Sequence, residues 1–333
     1  MAGLLVLSAV PLVADLFGTP YAVTLVTRLV IYGIAAVSLD LVLGYGAMIS
    51  FGHAMFFGLG GYVVAIVAHH TLEAGPLFGW SGSMQAVLVW PLALACCGLL
   101  GAVVGALALR TRGVQFIMIT LAFGQMVYFV LVSLQVYGGD DGLMMTQRNV
   151  LPGIDLAQPN SFYYMCLGLL ALWTFVCTRI VGSRFGMVLQ ALRQSERRTI
   201  NLGVAPAPYR LAAFVLSAMG TGLAGILWAN YAGLVTPDDM AAWSKSGELM
   251  AIVILGGVGT LLGPIGGAAS LSGTGTIAVR LDRALDDRDG PDSCARGAGA
   301  PGWPVRPHAG SATCRLRCPS CWSCAACANH SAQ

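Results

Sequence analysis

The chain has 333 residues, 56% of them hydrophobic and 10% charged, with a net charge of +3 and a mean hydropathy of +0.74. Soluble domains carry about 25% charged residues, so this composition excludes a soluble globular protein and points to an all-α polytopic integral membrane protein. In such a chain the net charge says little; what informs is where the charges fall.

Residues 3–17 are apolar but lack a basic leader, and Asp15 interrupts their end. That pattern predicts a short or tilted first helix rather than a cleaved signal peptide. Apolar runs long enough to span a bilayer recur at 22–45, 48–70, 86–109, 114–137, 161–181, 209–231 and 248–270. At roughly 20 residues per span they give about eight transmembrane helices in all. The join near Gly44 and Gly46 leaves room for a broken or re-entrant helix within 22–70.

The loops set the orientation. Segments 110–113 and 179–210 hold Arg110, Arg112, Arg179, Arg184, Arg193, Arg197, Arg198 and Arg210. Loops 71–85, 138–160 and 232–247 hold only Arg148 and Lys245, against Glu73, Asp140, Asp141, Asp155, Asp238 and Asp239. Basic residues collect on the cytoplasmic side of membrane proteins, so 179–210 faces the cytoplasm.

Within lipid, small residues let helix backbones approach closely. Gly101 with Gly105, the ladder Gly259, Gly263 and Gly267, and Gly52, Gly58, Gly60 and Gly61 in "FGHAMFFGLGGY" therefore predict helix packing. Pro264 predicts a kink in the last span. Ionisable residues inside spans mark function or a bonded neighbour. Asp40 lines a pathway or bonds to a neighbouring helix, and His53 reads first as a packing histidine, with no second ligand at metal spacing. Arg28 lies one to two turns from the end of its span and can snorkel to the interface. No nucleophile–base pair, Walker motif or Gly-rich phosphate loop occurs, so any ATP hydrolysis belongs to another subunit.

"VLQALRQSERRTINLGV", residues 188–204, is too long for a turn and too polar to cross a bilayer. Val188, Leu189, Leu192 and Ile200 form a broken apolar stripe at helical spacing, with Arg193, Glu196 and Arg197 beside it. Asn201-Leu202-Gly203 supplies a helix stop, and Pro206 and Pro208 precede the next span. The local expectation is an amphipathic cytoplasmic helix that docks a partner; the alternative is a helix lying on lipid headgroups.

The stretch "GSRFGMVLQALRQSERRTINLGVAPAPYRLAAFVLSA" resembles the cytoplasmic coupling loop of permease subunits in ATP-binding-cassette importers, above all the high-affinity branched-chain amino acid type. "LDLVLGYGAMISFGHAMFFGLGGYVVA", "RTRGVQFIMITLAFGQMVYFVL" and "LMAIVILGGVGTLLGPIGGA" agree in order, and "GGDDGL" is similar to the second, longer permease of that system. The likeness covers roughly residues 20–270.

The resemblance implies a permease for leucine, isoleucine or valine that works by alternating access, is not an enzyme, and binds no cofactor or metal. It implies a second permease subunit, two cytoplasmic ATP-binding subunits and a periplasmic solute-binding protein as partners. It places the chain, surrounded by membrane lipid and without nucleic acid, in the bacterial inner membrane. Glu196 and Gly203 match the acidic and glycine positions of the coupling helix, and Ala191, Leu192 and Arg193 the turn before it. Gln194-Ser195 stands where acidic residues are frequent, and Asp40 where the family generally carries Asn. Asp40, His53, Gln125 and Asn230 are the polar candidates for the path of a zwitterion.

Residues 1–270 thus form the expected transmembrane permease domain, with the coupling loop at 182–208. The tail 271–333 has another character: it holds six of the ten cysteines, seven arginines and no span. Cys318, Cys321, Cys324 and Cys327 repeat at a spacing that suits zinc or an iron–sulfur cluster. Its Arg, Ala, Gly, Pro, Ser and Cys are also what GC-rich DNA yields out of frame, and the expectation is a disordered frameshift product that binds no metal. Nothing in the sequence reads the solute, so a like permease for urea, short amides or another small polar solute is the nearest alternative. A stand-alone secondary transporter or channel would show repeated midplane charges or inverted repeats, which the chain lacks.

Overall fold

The computed structural model describes residues 20–72, 85–111, 113–145, 147–151 and 158–271, all within the compact unit Met1–Ile277. The expected helix at 3–17, Arg112, Asp155 and the tail beyond residue 271 lie outside them. Helices dominate because a backbone in hydrocarbon must satisfy its own polar groups. Among the described residues six are long and apolar enough to cross a membrane: Val23–Tyr45, His53–Thr71, Ala86–Ala108, Val114–Ser133, Pro159–Val181 and Pro206–Ala232.

In chain order the helices are α1 (Pro20–Asp40, continued as a π-helical turn Leu41–Tyr45), α2 (His53–Leu72), α3 (Ala86–Ala108), α4 (Val114–Ser133) and α5 (Pro159–Val181). Then come α6 (Arg184–Gln194), α7 (Glu196–Asn201), α8 (Pro206–Ala232), α9 (Pro237–Met240) and α10 (Trp243–Gly256). Two short strands, β1 (Leu143–Met144) and β2 (Leu234–Val235), pair antiparallel with Leu143 opposite Val235.

Helix α8 is the centre, with α1, α2 and α3 packed along it, while α5 and α10 pack on α1. Small residues make these approaches possible. A Cβ at Gly60 would collide with the Gly222 carbonyl, and one at Gly225 with the Phe57 carbonyl, so α2 and α8 meet backbone to backbone. The Gly101/Gly105 pair seats α3 on Ala218, Leu211 and Phe214 of α8. On the periphery, Leu99, Phe129 and Leu172 point outward from α3, α4 and α5, as lipid-facing side chains do.

The region 46–52 is a loop after a π-helical end, so 22–70 is two separate spans. The expected single span at 248–270 is instead two helical pieces. Helix α10 ends at Gly256, residues 257–262 turn, and 263–271 is helical again. Gly257 and Gly259 take φ of 100° and 84°, a conformation open to glycine that breaks the helix. The second piece folds back along the first: a Cβ at Gly263 would strike Gly256, and one at Gly267 would strike Ile252. Pro264 therefore sits in a first helical turn, where its missing N–H costs nothing, and does not kink a continuous span.

The loops sort to two ends of the bundle. At one end β1 pairs β2, Met145 N–H donates to the Gly233 carbonyl at 2.7 Å, and His70 Nε2 meets Tyr137 Oη at 2.9 Å. At the other, α6 touches the π-helical end of α1. This division coincides with the acidic and basic loops of the sequence.

Candidate functional site

The basic loop is built in two steps. Helix α6 buries Gly186, Leu189 and Leu192 against the bundle, and Phe185 packs on Tyr209 at the start of α8, with ring centroids 5.7 Å apart. Ser195, extended at φ −159° and ψ 103°, breaks the helix, so α7 starts in a new direction and the apolar stripe does not continue through it. Ile200 is half exposed rather than buried, and Leu202 is 82% exposed. Gly203 closes the helix at φ 84°: its N–H donates to the Ile200 carbonyl at 2.8 Å, and Val204 N–H to the Thr199 carbonyl at 3.3 Å.

The five residues expected to couple to an ATPase occupy different places. Leu192 is buried, and half-buried Ala191 accepts the Ser195 N–H at 3.0 Å. Glu196 pairs with Arg210 of α8 at 3.2 Å. Arg193 turns back into the bundle, where its guanidinium donates to the Gly44 carbonyl. Arg193 remains exposed along its stem, and Gly203 stands on open surface, with nothing within 4 Å of where its Cβ would be. Around it Arg197, Arg198, Ile200 and Leu202 are exposed. The loop thus has a rooted base and a free tip, apolar and basic, and Leu202 was legible only as part of a helix stop.

Arg193 belongs to a joint of three elements. Gly44 lies in the π-helical turn of α1, and one turn earlier Asp40 Oδ1 accepts the Gly259 N–H at 2.8 Å. Gly259 is the left-handed residue in the break after α10, and its Cβ would stand 3.2 Å from the Arg193 guanidinium. Asp40 is fully buried, and its Oδ2 has no partner among the described residues. Helix α6, the end of α1 and the α10 turn are therefore held by one arginine and one carboxylate.

The other polar candidates do not converge on Asp40. His53 is buried at the crossing of α1, α2 and α8. Ser217 Oγ donates to the Ser38 carbonyl at 2.6 Å. It must then accept from His53 Nε2 at 2.9 Å, leaving Nδ1 to accept from Ser50 Oγ at 3.1 Å. Every polar atom of that ring is satisfied. Asn230 accepts the Asn149 N–H at 3.0 Å and donates to the Ile226 carbonyl at 2.9 Å. It lies next to Tyr231, whose hydroxyl donates to the Thr24 carbonyl of α1; Thr24 and Asp40 are about 24 Å apart along the helix at 1.5 Å per residue. Gln125 is half-buried on α4.

At the Thr24 end the structure assembles a cluster that the polar candidates missed. Lys245 Nζ, nearly buried, donates to Tyr32 Oη at 2.9 Å and pairs with Glu248 at 3.0 Å and Asp239 at 3.2 Å. Trp228 Nε1 donates to the second oxygen of Asp239 at 3.0 Å. Arg28 reaches toward the middle of α1 rather than toward its near end: its guanidinium lies 5.6 Å from the Tyr32 ring and 5.4 Å from the Trp228 ring. Lys245 approaches the same two rings. Four charges and two aromatic rings thus meet within a helical bundle. In sequence Arg28 reads as a snorkelling residue and Lys245 as a loop charge; four charged residues from three helices carry no common sequence signal.

Residues 21–278 match the family model described as the branched-chain amino acid transport system permease component. The high-affinity branched-chain amino acid transport system permease protein LivM of Salmonella typhimurium is 28% identical over 263 residues, 72% of this chain and 59% of the relative. Its counterpart from Escherichia coli is 28% identical over 262 residues, with the same shares. The chain therefore spans 59% of the length of these curated relatives. No solved structure matches.

Proposed function

Because this chain belongs to the family of branched-chain amino acid transport system permease components, we propose that it is the membrane-spanning permease subunit of an ATP-binding-cassette importer for leucine, isoleucine and valine. Residues 1–270 are its permease domain. It works in the bacterial inner membrane with a second permease, two cytoplasmic ATP-binding subunits and a periplasmic binding protein that delivers the solute.

The observation that carries this reading is the loop at 182–208: a tip of Ile200, Leu202 and Gly203 left open, on a base bonded into the bundle. The tip docks on the ATP-binding subunit. Its exposed apolar side chains fill a groove there, and Arg197 and Arg198 select an acidic rim. When that subunit closes on ATP, α6 moves, and Arg193 passes the movement to the π-helical turn of α1 and to the turn after α10. A ligand shifts a two-state equilibrium only through different affinity for the two states. Here the differing contact is the position of α6, and the chain itself performs no covalent step.

The test is co-expression of the full complex with Leu202→Asp or Gly203→Phe. Both are expected to insert in the membrane, to lose the co-purifying ATP-binding subunit, and to take up labelled leucine at background rate. Wild-type co-purification and uptake in both variants would remove the docking assignment.

A further inference from the structure

We propose that Arg28, Lys245, Glu248 and Asp239, set around Tyr32 and Trp228, form a binding site for the charged head of an α-amino acid on its way through the permease. The inference rests on the proposed transport of amino acids and adds where in this chain the solute is held.

An α-amino acid carries a carboxylate and an ammonium on one carbon, so a site for it needs a cation and an anion side by side. Lys245 is already saturated: its three protons go to Tyr32 Oη, Glu248 and Asp239. It acts as the fixed centre that holds both carboxylates in place. Arg28 is different. It is exposed, lies over the Tyr32 and Trp228 rings with a side-chain hydrogen bond to Tyr32, and has no carboxylate within ion-pair distance among the described residues. Glu248 uses one oxygen on Lys245 and keeps its side chain 31% exposed. Arg28 and Glu248 attract each other electrostatically, yet they do not close into a pair.

Arg28 and Glu248 together present the polarity of the solute's head in reverse. Its carboxylate meets the forked guanidinium, which suits two-point recognition, and its ammonium meets Glu248. Position also argues for use. Arg28 lies between one and two turns inside the span Val23–Tyr45, and a charge within a span faces a pathway, protein or the interface rather than lipid. Its head is turned toward the middle of the helix, away from the nearer interface, with two aromatic faces holding it there.

The same exposed charges would arise if this face met the second permease. The test therefore measures assembly and transport together, in proteoliposomes carrying the full complex and fed with loaded binding protein. Arg28→Gln and Glu248→Gln are expected to keep the second permease and the ATP-binding subunits through purification. Each is expected to cut ATP-driven leucine uptake at least tenfold, with Arg28→Lys recovering part of it. Loss of the second permease from both variants would make the cluster a subunit contact and overturn the site. Full uptake in both would overturn the site and leave the proposed function standing. A wild-type complex that moves no leucine would overturn both.

Discussion

At the Arg28 end of α1, two cations and two carboxylates gather round Tyr32 and Trp228, partly open to the outside of the chain. At the Asp40 end, a single fully buried carboxylate takes one backbone N–H, and Arg193 is spent on a carbonyl. Groups at the first end can exchange one charged partner for another without opening the bundle, which suits binding and release. Groups at the second are tied to backbone in three elements, so none moves without the others, which suits transmitting a displacement. One helix thus carries a loose polar site and a stiff joint, with the α2–α8 glycine contact between them.

The largest effect is expected where that contact is broken. Gly225→Leu would drive a side chain into the Phe57 carbonyl. Backbone cannot yield as a side chain does, so the cost exceeds about 3 kcal/mol. Both ends should fail together: no monodisperse complex on size-exclusion chromatography, and no uptake. A normal elution profile would mean that α2 and α8 separate without harm.

Lys245→Met distinguishes the ends. It removes the centre of the charged cluster and leaves Tyr32 Oη and two carboxylates unmatched. The carboxylates are a third to a half exposed, so water softens the loss to about 2 kcal/mol. A lowered midpoint of thermal unfolding in detergent is expected, with the ATP-binding subunit still attached. An unchanged midpoint would show that the ion pairs contribute nothing net.

Arg193→Gln acts at the other end. A charged hydrogen bond of this kind contributes about 1.5 kcal/mol, so roughly a tenfold fall in uptake is expected. The ATP-binding subunit should stay bound, since the tip at Leu202 is untouched. More ATP hydrolysed per leucine moved is the signature of a broken joint; loss of the subunit instead would place Arg193 in the docking surface.

How far these sites were legible follows from their geometry. The six spans among the described residues could be read because length and hydropathy are local properties, and the loop at 182–208 because its charge contrasts with both neighbours. The break after Gly256 was hidden by composition: "LGGVGTLLGP" is as apolar as a helix, and only the positive φ of Gly257 and Gly259 shows that it turns. The sequence placed Arg193 only beside the apolar stripe, because nothing local brings the Gly44 carbonyl within its reach. The Lys245 cluster joins residues more than 200 positions apart, and His53 found its partner on α8 for the same reason.

The smallest effect separates charge from acceptor at the joint. Asp40→Asn keeps an oxygen to accept the Gly259 N–H and replaces the buried, partnerless Oδ2 with an amide. Removing a buried negative charge gains stability, while the unpaired amide protons and the lost attraction to Arg193 take part of it back. A net gain of about 1 kcal/mol is expected. Asp40→Leu deletes the acceptor as well and strands the Gly259 N–H, a loss of about 2 kcal/mol. Thermal unfolding of the two variants beside wild type should therefore bracket it, Asn above and Leu below. If both fall below by the same amount, the negative charge facing Arg193 is what orders the joint, and the hydrogen bond to Gly259 is incidental to it.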